Sequence, residues 1–190
     1  MTSPDTAHAL QQTQAWFERA VIGLNLCPFA KAVHAKGQIR WVLCQAQEPE
    51  ALLAELVAEL RTLAAAEPLQ IDTTVLVHPR VLRDFVDYND FLDLADAALD
   101  ELGLEGELQI ASFHPDYQFE GTAADDIANC TNRAPHPVLH LLREDSIARA
   151  VQAVPDAADI YERNIAMLDR LGLEGWRALG LPTGRLSGRR

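Results

Sequence analysis

Apolar positions along this chain recur with two periods, one near three and a half residues and one near two, and the switches between them mark out its elements. Leu10, Phe17, Val21 and Leu24 fall on one side at helical spacing with Trp16 beside them, which predicts an amphipathic helix over 8–24, ending near Gly23 or Asn25. The run IRWVLCQ (39–45) predicts a strand, and Pro49 then stands where a missing N–H is best tolerated, at the start of a helix. Over 49–66, Leu52, Leu53, Leu56, Val57, Leu60 and Leu63 repeat every three or four residues, and this helix stops before Pro68. DTTVLVHP (72–79) is a second strand. The strongest helical stripe follows, through Phe85, Tyr88, Leu92, Ala95, Leu99 and Leu102, closed by Gly103 at a C-cap position. Third and fourth strands are predicted at 108–115 and 138–144. Ser146 fits an N-cap for a short helix carrying Ile147, Ala150, Val151 and Val154, and a last helix runs from about Ala157 to Gly172.

Strands alternating with helices predict an α/β fold: a mixed four-stranded sheet covered by helices, with a ferredoxin-like α+β arrangement carrying an inserted helix as the alternative. The 190 residues suit one core, read as a single domain over 1–178 with a basic C-terminal tail over 179–190. Sixteen Lys and Arg against twenty-eight Asp and Glu give a net charge of −12, a field that repels phosphate backbones and argues against nucleic acid as a partner. No apolar stretch reaches the roughly 20 residues of a membrane span, so no membrane partner is expected. The polar start MTSPDTAHALQQTQ carries no secretory signal, which points to the cytoplasm. Three cysteines without CxxC spacing fit reduced thiols better than disulfides or a zinc knuckle.

Two strands end in the same dipeptide, His78-Pro79 and His114-Pro115. If those strands run the same way, both imidazoles stand at the carboxyl ends where open α/β sheets bind ligands. The competing reading is that each histidine caps its strand end on a loop carbonyl. The long connection 116–136 then gathers Asp116, Tyr117, Asn129, Asn132 and Arg133, where a guanidinium fork and two amides can hold an anionic or polar molecule; its plainer reading is Arg133 paired to Asp125 or Asp126. His140 interrupts an apolar strand, so it either bonds a core carbonyl or joins a polar cluster. His78, His114, His136, His140, Asp116 and Cys130 allow a metal set to be drawn, but there is no HExxH, His-x-His or Cys-x-x-Cys, and no metal or other cofactor is assigned. Cys27 precedes a predicted helix start, where exposed amides and the dipole lower a thiol pKa; the plainer reading is a buried thiol packing Phe29 and Leu26. CPFA there is similar to the thiol site of glutaredoxin-like and omega-type glutathione transferases, yet a helix precedes it where those folds need a strand. Asp84, Asp87, Asp90, Asp93 and Asp96 fan round their helix as a solvated face. Asn164 is an isolated polar group on the apolar side of the last helix.

The segments GLNLCPFA, DFVDYNDFLDLAD, QIASFHPDYQFEGT and NCTNRAPHPVLHLLRE resemble the bacterial domain-of-unknown-function family 1415, from roughly Trp16 to Leu171. The resemblance implies a self-contained bacterial domain and carries no reaction or site residue with it. The residues themselves suggest an enzyme acting on a small polar or anionic molecule. His114 is its general acid or base, tuned by Asp116 or Tyr117, with His78, Asn129, Asn132, Arg133 and His140 binding substrate. A non-catalytic binding or interaction module is the alternative; metal-dependent hydrolysis and thiol chemistry with Cys27 as nucleophile are further ones.

Overall fold

A computed structural model describes residues 4–153 and 160–182. Strands β1 (Ile39–Leu43), β2 (Thr73–Val77), β3 (Leu108–Phe113) and β4 (Val138–Arg143) form one sheet in the order β1-β2-β4-β3. β1 is parallel to β2, while β2 and β3 are both antiparallel to β4. Three strands thus share a direction and the fourth is inserted against them, the mixed sheet that the alternation predicts. The ferredoxin-like alternative is not realised, because its split βαβ unit separates two parallel strands that here are direct neighbours.

Helix α3 (Pro49–Ala65) makes the crossover that the parallel β1–β2 pair requires, and α4 (Phe85–Glu101) carries the chain past the β4 position to β3 in the same direction. Leu52, Leu56, Leu60 and Leu63 of α3 pack with Tyr88, Phe91, Ala95 and Leu99 of α4 over Leu76, Leu108, Leu139 and Leu141 of the sheet. Asp84 caps α4 by accepting from Val86 N at 2.8 Å. At its other end Gly103, at φ +66°, lets Leu104 N reach Leu99 O at 3.1 Å and its own N–H reach Asp100 O at 2.9 Å, a paired closure that needs the left-handed residue. The opposite face carries α1 (Pro4–Trp16), α2 (Ala30–Ala35) and α6 (Ile160–Ala178), packed on Val75, Val77 and Val138.

The chain departs from its predicted elements in four places. Helix 8–24 is divided, since after Trp16 the turn widens to a π-helix over Phe17–Ile22, with Gly23 N bonded to Glu18 O at 3.0 Å; the wider turn keeps Phe17, Ala20 and Val21 on the buried side. Helix α5 (Glu144–Ala153) grows directly out of β4, so Ser146 lies inside it and its hydroxyl donates to Asp72 Oδ1 at 2.5 Å rather than capping. Val154 and Ala157 lie outside the described residues. Gly172, the predicted helix end, does break α6 with φ +64°, but the chain winds on to Ala178. Leu179 and Leu181, assigned to the tail, instead pack into the second core, where Arg19 Nη1 donates to Leu179 O at 3.2 Å.

Candidate functional site

Because β2 and β3 are parallel, His78 and His114 do meet at one rim, each packed against the Tyr88 ring, with centroid distances of 5.8 and 5.0 Å. Both side chains are fully buried. His114 Nδ1 accepts from the Asp116 N–H at 3.1 Å, so its proton sits on Nε2, which donates to Leu82 O at 3.2 Å. Neither nitrogen is left for a ligand. His78 Nδ1 donates to Val81 O at 3.2 Å, and its Nε2 is buried with no hydrogen-bond partner among the described residues. Burial pushes the His78 pKa down to about 4 and lowers that of His114, so both rings are neutral at neutral pH. The rim opens into a cleft of about 620 Å³, which Asp116 and His136 line and the two buried histidines do not.

The 116–136 connection is held together by the residues expected to hold a ligand. Arg133, 4% exposed, donates from Nε to Tyr117 O at 2.9 Å and from Nη2 to Ala124 O at 2.7 Å. Asn129 Oδ1 accepts from Phe119 N and from the Thr122 hydroxyl, both at 2.9 Å, and its Nδ2 donates to Ala123 O at 2.8 Å. Asn132 Nδ2 donates to Ser112 O at 3.1 Å and its carbonyl receives His114 N at 3.1 Å. The Tyr117 ring packs on Phe85 and Phe119. These side chains replace the ladder bonds that a loop cannot make, which is why an irregular segment of this length stays ordered.

His140 stands on the other face of the sheet, at the wall of a larger cavity of about 680 Å³ near the amino-terminal ends of the parallel strands. The Thr73 hydroxyl lies 2.6 Å from Leu141 O and 2.7 Å from His140 Nε2. A hydroxyl has one proton, and Leu141 O can only accept it, so Nε2–H must donate to Thr73 Oγ1. The lone pair is therefore on Nδ1, which makes no hydrogen bond among the described residues. Desolvation holds the pKa of this imidazole down to about 4. The ring sits between Phe17 and Phe113, each 6.3 Å away by centroid.

Cys27 and Phe29 form part of the same wall. Burial raises the Cys27 pKa, outweighing the N–H groups of Ala30 and Phe29 that act the other way, so the lowering expected at a helix start is reversed. Helix α2 is only six residues long. At the cavity edge Arg149 Nη2 donates to Ser146 Oγ at 2.9 Å, continuing the chain to Asp72. Arg143 turns its guanidinium to the far face, onto the carbonyls of Leu63 in the last turn of α3 and of Ala66 and Ile71 beyond it. Asn164 donates to Leu26 O at 2.8 Å, fixing the backbone just before Cys27.

Of the candidate residues, the structure brings His78, His114, Asp116 and Tyr117 to one end of the sheet with Asn129, Asn132 and Arg133, and puts His140 and Cys27 in a separate place. Sequence reasoning missed Thr73, whose only sign is a hydroxyl residue opening an apolar strand. It also missed Arg80 and Arg83, which follow the first His-Pro pair. Among the described residues no group of three or more His, Cys, Asp or Glu is placed to hold a metal ion, and no helix is long and apolar enough to cross a membrane. Cys27, Cys44 and Cys130 are free thiols.

A family model described as a protein of unknown function (DUF1415) matches residues 8–178. No curated protein and no solved structure matches the chain.

Proposed function

We propose that this chain, which belongs to that family of unknown function, binds a small, largely apolar molecule in the cavity beside His140, and that His140 Nδ1 is the group the molecule meets. The observation that carries this reading is an imidazole fixed in one tautomer by Thr73, with its free lone pair on the wall of a roomy apolar hollow. A neutral acceptor in an apolar wall selects a ligand with one hydrogen-bond donor on an apolar body, because a ligand lacking the donor leaves Nδ1 unpaired. Three free thiols suit a reducing compartment such as the cytoplasm, which the polar start of the chain also suggests. A matched pair of probes tests the binding: 4-methylphenol should saturate amide shifts of cavity residues at lower concentration than toluene, and His140→Leu should erase the difference. Equal affinity for the two probes in the wild type would overturn it.

A catalytic reading rests on one further observation, that Cys27 shares the wall with His140. There Cys27 Sγ attacks a carbon that carries a leaving group, the C–S bond forming as the bond to that group breaks, while His140 Nδ1 takes the thiol proton and passes it to the departing group, with Thr73 orienting the imidazole as the third member. The acid–base part assigned to His114 passes to His140 in this scheme, since His114 has no nitrogen to offer. Iodoacetamide reports on it directly. His140→Gln should slow alkylation of Cys27 severalfold while the urea midpoint stays put, and identical alkylation rates would remove the catalytic reading without touching the binding one.

A further inference from the structure

The cleft at the carboxyl ends of the parallel strands is built differently from the cavity beside His140. Every strand contributes to it: Gln47 from beyond β1, Arg80 and Arg83 from beyond β2, Asp116 from beyond β3 and His136 from the approach to β4. Four of its lining residues are prolines, Pro79 and Pro137 among them, so its walls are stiff and little ordering is needed when it fills. This is the place where open α/β sheets gather ligands.

The wall chemistry specifies the charge of that ligand. Arg80 and Arg83 are exposed, and their guanidinium groups make no hydrogen bond or ion pair among the described residues. Among the described residues the one carboxylate on the cleft wall is Asp116, against two arginines, in a chain whose net charge is −12. Asp84 and Asp87 share an adjoining hollow with both arginines, yet neither closes an ion pair with them, and Asp84 is already engaged at the start of α4. His136 is held by Gln12 Oε1, 2.7 Å from its Nε2. Paired guanidinium forks with their donors unused match the flat, multi-oxygen edge of a carboxylate or phosphate.

We propose that this cleft is a second ligand site, for a small phosphate- or carboxylate-bearing molecule, clamped by Arg80 and Arg83. It is independent of the cavity beside His140. Titration calorimetry in low-salt buffer, with pyrophosphate and citrate as separate probes, tests it. At least one probe should bind saturably, and the double variant Arg80→Ala/Arg83→Ala should raise its Kd at least tenfold. Arg61→Ala, which removes an exposed guanidinium from α3, should leave the Kd within twofold. Binding of pyrophosphate alone assigns a phosphate ligand and of citrate alone a carboxylate. Arg80→Lys and Arg83→Lys, which keep the charge and lose the fork, should weaken binding less than the alanine pair does. Failure of both probes to saturate the wild type at millimolar concentration overturns the proposal. So does a double variant that binds as the wild type does, or an Arg61→Ala control that loses binding equally.

Discussion

His114 and His140 stand on opposite faces of one sheet, both neutral through burial, and differ in how many of their nitrogens are spoken for. His114 has two partners, both backbone; His140 has one, the hydroxyl of Thr73. The first histidine belongs to the architecture of a strand end and the second is open to a cavity. Position at a strand exit and a His-Pro motif point to the ring whose two nitrogens are both engaged, because availability is decided by hydrogen-bond accounting that depends on where the following loop happens to turn.

The widest separation between the two regions should appear in stability. Removing His114 strands the Asp116 N–H and the Leu82 carbonyl in the interior, and removing Arg133 strands the carbonyls of Tyr117 and Ala124. Each of His114→Ala and Arg133→Ala should cost about 3 kcal/mol in urea unfolding at pH 7.5, against about 1 kcal/mol or less for His140→Ala. Equal losses at His114 and His140 would break the comparison.

Acid should sharpen it next. His78 and His140 have native pKa values near 4 against an ordinary 6.5, so between those limits the unfolded chain holds more protons than the folded one. Stability is therefore intact above about pH 6.5 and falls as the pH drops towards 4, by up to about 1.4 kcal/mol per pH unit for each histidine. His114 shifts in the same direction and adds to the slope. A series of urea midpoints across this window should be shallower for His140→Gln than for the wild type, by no more than one histidine's share. An unchanged slope would mean that His140 is wetter than its surroundings indicate.

The smallest effect concerns the thiols. Cys27 is partly exposed with a raised pKa, while Cys44 and Cys130 are buried and Cys130 is pushed up to about 12. Native protein should consume one equivalent of iodoacetamide, at Cys27, more slowly at pH 7 than a free cysteine does, and mass spectrometry of the digest should find Cys44 and Cys130 unmodified. Faster labelling than the free amino acid would place the thiol in a polar, activating setting instead.

Much of the fold was legible because helix and strand periods are local properties. The stripe Tyr88, Ala95 and Leu99 and the alternation around His140 needed no knowledge of their neighbours. The reversed direction of β4 was also within reach, since the 116–136 segment lacks the apolar period of a crossover helix. What local pattern could not show is which backbone groups a side chain would find. Asn129, Asn132 and Arg133 have the chemistry of a binding loop, and only the path of the chain decides that their partners are backbone groups and a hydroxyl of that same loop and a carbonyl of β3. Cys27 and His140 are separated by more than a hundred residues, and it takes α2 and α5 closing over the same sheet face to make them neighbours in one wall. Arg143 reaching the carbonyls beyond α3, and the bidentate pair of Arg40 with the buried Glu59 at 2.7 and 3.0 Å, escaped for the same reason.

Strand β4 has no linker after it, since Arg143 is followed at once by the first residue of α5. Its entrance is framed by Pro137 on the arginine cleft, and its exit by Leu142 and Ser146 on the cavity. Six extended residues span about 20 Å. A single stiff strut, buttressed by a strand on each side, therefore separates the two hollows by a fixed distance, and whatever occupies one of them stands at a set spacing from the other.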